Sequence, residues 1–447
     1  MAATHRISVP RMTSRVAAGA ILFASAALAW LAITFTVVAR ALQTVIALSL
    51  VYVAYLALRG YQVMRDARRA SPAEGERPWV TLVVAARNEA PVIAATLAGL
   101  AAQDYGVDGE RRFDIVLVDD GSTDETGALA RVAAAAHPDR LVVMRREQGD
   151  GPRMKAAALS FAHPHTRGEV IGVLDADASV PPDFVSRIMG AWQADPGASA
   201  IQAQRRAHNR GHGWLAAAQD EELLMDMASQ CGRCATDGTA ELRGNGMFVR
   251  REALERVGGW NDTALTEDLE LSTRLVAAGE RIALAPQAEV GEEAVVVLPA
   301  LWRQRLRWAE GSIRRLMELG PGLLRAPEVP TTRKLDFVAF IGEFVIPPLF
   351  ATTIIASLLT VPLPRPADWT VPISLFLGYG IGSFVLALAG LAAQGHRGPM
   401  LIGRAGRGSL FLSHWLVVVP AALLRIAVGR HATSFVQTRR IGHASDR

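Results

Sequence analysis

Phe113-Asp114-Ile115-Val116-Leu117-Val118-Asp119-Asp120-Gly121-Ser122-Thr123-Asp124 is the stretch on which the reading of this chain turns. A strand-length apolar run stopped by acids, Gly and Ser reads as a buried strand that ends in a turn and opens a helix. Trp79 to Ala86 has the same character and runs into Arg87-Asn88-Glu89. Arg140 to Met144 repeats the pattern, as does Val170 to Leu174, which stops at Asp175-Ala176-Asp177. Helical patterns over Pro91 to Gln103 and Met154 to Phe161 lie between these strands. Alternating strand and helix predicts a mainly parallel, Rossmann-like sheet covered on both faces, within a domain spanning about residues 71–330. In such sheets ligands gather beyond the carboxyl ends of the strands, where these polar ends fall.

The flanks of that domain are different in kind. The chain has 447 residues, 50% of them apolar, so a soluble domain plus membrane spans is expected. Val16 to Ala39 and Ala41 to Leu58, separated by Arg40, are each long enough to cross a bilayer as a helix. Arg6, Arg11 and Arg15 precede the pair and Arg59, Arg65, Arg68 and Arg69 follow it, which places both ends of a hairpin in the cytoplasm. A cleaved signal peptide competes for the first run, but a second span follows at once and no clear cleavage site intervenes. Ser71 to Pro78 reads as a linker. Beyond residue 331, runs at 335–360, 371–393 and 410–428 look like further spans, and the loop holding His396, Arg397, Arg404 and Arg407 is expected in the cytoplasm. Three crossings would put Arg430, Arg439 and Arg440 outside, so one of the three runs is expected to be re-entrant or interfacial.

A net charge of +4 is small for this length and no nucleic-acid motif is visible, so no nucleic-acid partner is expected. Cys231 and Cys234 are the only cysteines, which excludes a disulfide scaffold. With His208 and His212 they would form a zinc set, but a single C-x-x-C more often reflects ordinary packing.

The chemistry-bearing residues fall into ordered clusters. Asp119-Asp120-Gly121 could be a capping turn or could hydrogen-bond a base and ribose. Arg87 and Glu89 add charge at the same edge. Asp175 and Asp177 form a hard-oxygen pair of the kind that holds Mg2+ or Mn2+ against a diphosphate, with Lys155, Arg153 and Arg307 as cations that could assist. Thr266-Glu267-Asp268 opens an amphipathic run, where it could cap a helix or supply a general base, and Asp268 is the choice for the base. Gln304, Arg307 and Trp308 share one helical face, with Trp flat enough for a sugar ring and Arg a planar donor for phosphate. Trp302, Arg303, Arg305 and Arg314-Arg315 are expected on the membrane-interface side of that same helix, near 298–318.

Taken together, these residues resemble the membrane branch of the family 2 glycosyltransferases, which contains cellulose, chitin and hyaluronan synthases and bacterial glucosyl-lipid synthases. The resemblance spans roughly residues 78–320 and rests on Ala85 to Glu89, Asp119-Asp120-Gly121, Lys155, Asp175-Ala176-Asp177, Gly244-Asn245-Gly246, Thr266-Glu267-Asp268 and Gln304 to Trp308. It implies a GT-A fold, a UDP-sugar donor, a Mg2+ or Mn2+ ion and inversion to a β-linkage. It also implies donor contacts from Arg87, Glu89, Asp119, Asp120, Lys155, Asp175, Gln304 and Arg307, and a metal on Asp177. Asp268 would be the base, with Glu267 and Trp308 toward the acceptor. Gly244-Asn245-Gly246-Met247 lacks the Cys-containing segment of many cellulose synthases, and Arg307-Trp308-Ala309-Glu310-Gly311 looks more like the glucosyl-diacylglycerol synthases. The expectation is therefore a hexose, best taken as glucose, transferred to a membrane lipid at the bacterial inner membrane from a cytoplasmic domain. The alternatives are a processive β-polysaccharide synthase and a non-catalytic membrane scaffold.

Overall fold

The structure is a computed structural model that describes residues 12–69, 77–147, 154–362 and 369–430. Arg6, Arg11, Arg153, Arg439, Arg440 and most of the expected linker lie outside the described residues.

A seven-stranded sheet forms the centre of the domain between the apolar flanks. In chain order its strands are β1 (Val80–Ala86), β2 (Phe113–Asp119), β3 (Leu141–Arg145), β4 (Val170–Asp175), β5 (Ala200–Ala207), β6 (Met247–Arg250) and β7 (Ile282–Glu292). They lie side by side as β3-β2-β1-β4-β6-β5-β7. β6 alone runs antiparallel to its neighbours, as the pairings β4 with β6 and β5 with β6 show, whereas β1, β2, β3 and β4 are mutually parallel. The order reverses between β1 and β4, so the crevice at their carboxyl ends is the place where such a sheet binds ligands. Register puts Asp119 opposite Ala86 and Asp175 opposite Ala85, which brings the two acidic strand ends level with each other.

Helices cover both faces. In chain order they are α1 (Met12–Thr34), α2 (Thr36–Arg69), α3 (Ala90–Ala101), α4 (Thr126–Ala136), α5 (Lys155–Ala162), α6 (Phe184–Ala194), α7 (Trp214–Cys234), α8 (Arg251–Arg256), α9 (Glu267–Ala277), α10 (Leu298–Arg325), α11 (Thr331–Thr360), α12 (Thr370–Ala393), α13 (Gly398–Leu412) and α14 (Trp415–Ala427). Ile93, Leu97, Phe184, Ile188 and Trp192 from α3 and α6 pack with Leu82, Val84 and Leu117 on one face. Leu159, Leu254, Leu271, Leu275 and Leu316 pack with Val83, Val116 and Val173 on the other. Each such side chain contributes about 1.5–3 kcal/mol by leaving water, which is what keeps the strand ends rigid.

Five stretches are long and apolar enough to cross a membrane among the described residues: Met12–Thr34, Thr36–Arg68, Thr331–Thr360, Thr370–Ala393 and Gly398–Ala427. The first break falls at Phe35 rather than at Arg40. There the Thr34 hydroxyl bonds back to the Trp30 carbonyl at 2.7 Å, a local bond of the kind that competes with helix continuation. The run expected at 410–428 is likewise divided at Ser413-His414, where both side chains bond back to carbonyls of Leu410 and Phe411.

The expected loop of Arg404 and Arg407 is helical instead. Both residues lie on α13, which packs on α7 through ion pairs to the fully buried Glu221, at 2.9 Å for Arg404. The membrane-interface reading of α10 also needs correction. Trp302 and Arg303 do face outward, but Arg305, Arg314 and Arg315 are buried. Arg305 pairs with Glu222 and Arg315 with Glu241, each at 2.5 Å, so these guanidiniums bind α10 to α7 and its neighbours. The zinc set is not assembled: among the described residues no group of three or more His, Cys, Asp or Glu is arranged to hold a metal ion. His208 and His212 precede α7 and the cysteines close it, about 30 Å away along its axis.

Candidate active site

The loops after β1 and β2 are joined by their own polar side chains. Asn88 takes a left-handed conformation (φ 55°), one that Asn tolerates, and its side-chain oxygen accepts from the Thr123 amide at 2.8 Å. The Ser122 hydroxyl accepts from the Asn88 amide at 3.0 Å. Within this junction the adjacent acids part company. Asp119 accepts from the Ser122 amide and from Arg145, at 2.8 and 2.7 Å, and holds the turn. Asp120 pairs with the buried Arg146 at 2.5 Å and lines the cavity beside Arg87 and Glu89. Asp119 is not among the residues that line it.

Lys155 opens α5 and reaches across the crevice. Its ammonium donates to Asp175 and stands 3.4 Å from Glu267. Burial works against that charge, but Asp175, Glu267 and Asp268 outweigh it and hold the ammonium above its ordinary value. Asp175 is also held through its amide, which donates to the Asn245 side chain at 3.1 Å. Asp177 is fixed by the Glu293 amide at 3.1 Å.

Glu267 and Asp268 form the first turn of α9. Burial raises the Asp268 carboxyl, and it wins over the opposing Leu269 amide, Lys155, Arg243 and Arg205. Burial raises Glu267 too, against Lys155, and the neighbouring Asp268 adds to the effect. Gly244 sits against this pair with φ 78°, where a Cβ would also lie 3.2 Å from an Asp268 oxygen, so both conformation and space call for glycine. Gly311 lets α10 approach the start of α9, since a Cβ there would overlap the Thr266 side chain. That approach carries Gln304, Arg307 and Trp308 to the cavity wall. Among the described residues the buried Gln304 Oε1 has no hydrogen-bond partner. Burial lowers Arg307, while Glu267, Asp268 and Asp175 pull the other way, so its guanidinium faces those acids. Arg305 stacks over Trp308 at 4.4 Å and fixes its plane.

Sequence reasoning missed Arg205, Arg243 and Glu292. Arg205 on β5 lies 3.7 Å from Glu292 at the end of β7 and 5.9 Å from the Trp308 ring centre. The irregular register after Ala203, where Gln204 pairs with Glu289, sets this meeting. Nothing local in either strand announces it. Arg243 pairs with Asp226 and Glu241, each at 2.7 Å. Its position directly before Gly244 was the one available signal.

All of the proposed site residues except Asp119 line one cavity of about 680 Å3. It continues from the strand ends past Trp308 and Ser312 into the long apolar helices, between Leu42, Ile46 and Leu50 of α2, Ile346 and Leu349 of α11, and Leu375 and Leu386 of α12. The arrangement offers a proton-accepting carboxylate beside a cationic crevice, and both open onto an apolar chamber.

A mainly parallel sheet with one antiparallel strand, its acids and lysine gathered at the carboxyl edge, defines a glycosyltransferase of the GT-A fold. Residues 77–311 match the family described as "Glycosyltransferase like family 2", and the chain belongs to that family. It is 33% identical over 368 residues to the beta-monoglucosyldiacylglycerol synthase of Synechocystis sp., covering 81% of this chain and 74% of the relative. The poly-beta-1,6-N-acetyl-D-glucosamine synthase of Staphylococcus aureus (strain COL) is 27% identical, covering 53% of this chain and 55% of the relative. Among solved structures, the mannosyltransferase PcManGT from Pyrobaculum calidifontis, in complex with GDP-Man and Mn2+, has the same fold. The TM-score is 0.58 at 23% identity, covering 86% of this chain and 98% of that one.

Proposed function

We propose that this enzyme transfers glucose from UDP-glucose to diacylglycerol in the membrane, with inversion to a β-glucoside. The observation that carries the reading is the single cavity that joins the acidic strand ends to an apolar chamber among the long helices. An acceptor with acyl chains matches that chamber. A growing glycan would bring dense hydroxyls that Leu, Ile and Val walls cannot satisfy. The identity to the Synechocystis synthase over most of both chains supports the same acceptor.

In the reaction the acceptor hydroxyl oxygen attacks the anomeric carbon while the bond from that carbon to the diphosphate oxygen breaks, and its electron pair leaves with UDP. Asp268 takes the hydroxyl proton, and its raised proton affinity suits it to that role. Asp120, Arg87 and Glu89 would hold the nucleoside, Lys155 and Arg307 the diphosphate, and Gln304 and Trp308 the sugar and its acceptor. Asp119 would act through the turn it holds.

A divalent cation fits the donor chemistry. Burial together with Asp175 and Asp177 raises the Glu292 carboxyl against the pull of Arg205, so negative charge is crowded at the D-x-D end of the crevice. Asp177, with Asp175, would hold Mg2+ or Mn2+, and diphosphate oxygens would complete the shell. When bound, such an ion neutralises charge on the departing UDP. Arg59, Arg65 and Arg68 near the end of α2, with Arg333 and Lys334 at the start of α11, support a cytoplasmic position for the catalytic domain.

The test uses the purified full chain with labelled UDP-glucose and diacylglycerol in mixed micelles. A labelled glycolipid released by a β-glucosidase and not by an α-glucosidase is expected. Label recovered only as free glucose or polymer would overturn the reading.

A further inference from the structure

The cavity is also lined by Glu343, a carboxylate on a long apolar helix that the reaction does not use. Glu343 lies on α11, twelve residues or about 18 Å of helix beyond its start at Thr331. It lines the cavity and is open to it. Among the described residues it forms no hydrogen bond and no ion pair, whereas Tyr379, Ser383, Arg233, Asp226 and Glu241 of the same cavity are engaged. The Tyr379 hydroxyl donates to the Leu412 carbonyl at 3.3 Å, Ser383 donates to the Gly380 carbonyl at 3.0 Å, and Arg233 is held by Asp336. Asp226 and Glu241 are taken up by Arg243. A carboxyl at this depth without a partner is costly, and such residues face a cavity because something there meets them.

What meets it must be amphiphilic. Phe344 beside it packs against the cluster that holds Ala309 and Ile313 of α10, and Ile346 and Leu349 belong to the same apolar wall. The same cavity is lined by Ser312, one turn of α10 from Trp308, and by Asp268. A ligand that spans this path needs a hydroxyl at Asp268, a second polar group within reach of Glu343, and hydrocarbon beyond. A diacylglycerol has that order: hydroxyl, ester, acyl chain. A dialkylglycerol has the hydroxyl and the chains but no ester carbonyl.

We propose that Glu343 is the acceptor-specificity residue, which donates from its neutral carboxyl group to an ester carbonyl of the lipid and so seats the glycerol hydroxyl at Asp268. This rests on the diacylglycerol reading given above. The neutral form is the one that matches, because an ester carbonyl only accepts hydrogen bonds and a carboxylate only accepts them too.

The experiment compares dipalmitoylglycerol with the ether-linked dihexadecylglycerol as acceptors for the full chain in mixed micelles. One hydrogen bond predicts an apparent acceptor KM about tenfold higher for the ether in the parent. In E343L the two acceptors should be used with equal KM. E343Q, whose amide can still donate, should keep most of the preference. Equal KM values for ester and ether in the parent, or an unchanged preference in E343L, would overturn the proposal. Should E343L fail to accumulate, E343M, which also lacks a donor, gives the same readout. No transfer to either acceptor by the parent would instead count against the diacylglycerol reading, which separates the two failures.

Discussion

The two ends of the cavity are built on opposite principles. At the strand ends, charges are close and mutually compensated: Lys155 serves Asp175 and Glu267, Arg146 serves Asp120, and the Glu293 amide serves Asp177. At the membrane end the walls are Leu, Ile and Phe, and Tyr379 and Ser383 are held by helix carbonyls, whereas Glu343 has no hydrogen bond or ion pair among the described residues. A diphosphate must be held against strong competition from water, which takes fixed, converging charges. A lipid needs little beyond a volume that water does not favour, so the chamber is shaped by apolar side chains on helices. On the proposed function, the contrast assigns donor and acceptor selection to different parts of one cavity, which can then be disturbed separately.

The largest effect should come from the point where the two ends meet. Asp268→Asn removes the proton acceptor and keeps the shape, so turnover should fall by about 10^2 to 10^4-fold with little change in the KM for UDP-glucose. Equal rates for parent and variant would remove Asp268 as the base. Because burial raises the Asp268 carboxyl, kcat/KM in the parent should decline with falling pH at a higher pH than an ordinary aspartate would give.

At the donor end, Asp177→Asn or chelation of divalent ions should each lower turnover by about 10^2-fold, with the chelated enzyme restored by Mg2+ or Mn2+. Full activity in the presence of a strong chelator would contradict the metal assignment. Neither change should alter the ester-to-ether preference, which belongs to the other end.

The smallest of these effects tests the scaffold between the ends. Burial alone would raise Glu241, but Arg315, Arg243 and Arg233 together bring its carboxyl down from 4.5 to about 2. A depressed folded-state value means the stabilisation is fully present above about pH 4.5 and is lost as the pH falls towards 2. Glu241→Gln should cost about 3 kcal/mol at neutral pH, seen as a lower midpoint in thermal unfolding in detergent, and should flatten the acid dependence in that window. An unchanged midpoint would show that the pairs to Arg315 and Arg243 contribute nothing net.

Much of the donor end was legible in the sequence because its residues lie at strand ends, where local pattern fixes position. Asp120, Asp175 and Asp177 stand at such ends, and Lys155 and Glu267-Asp268 open the helices α5 and α9 that face them. Asp119 shows the limit: pattern places it at the same edge, but only the turn geometry turns it toward Ser122 and Arg145. Arg205 and Glu292 meet through an irregular β5–β7 register that no short pattern encodes. The misread guanidiniums have a related cause. Arg305 and Arg315 look like part of an interfacial belt until α7 supplies Glu222 and the following loop supplies Glu241, acids distant in sequence. The acceptor end was least legible, since Glu343 and the apolar walls come from separate helices whose packing decides which faces share a cavity.

The most direct test of the central claim is to incubate membranes containing the enzyme with a panel of labelled UDP-sugars and partition the products between organic solvent and water. The account predicts that label from UDP-glucose moves into the organic phase, and that Asp268→Asn abolishes this movement. Label that stays entirely in the aqueous, ethanol-precipitable fraction would contradict it.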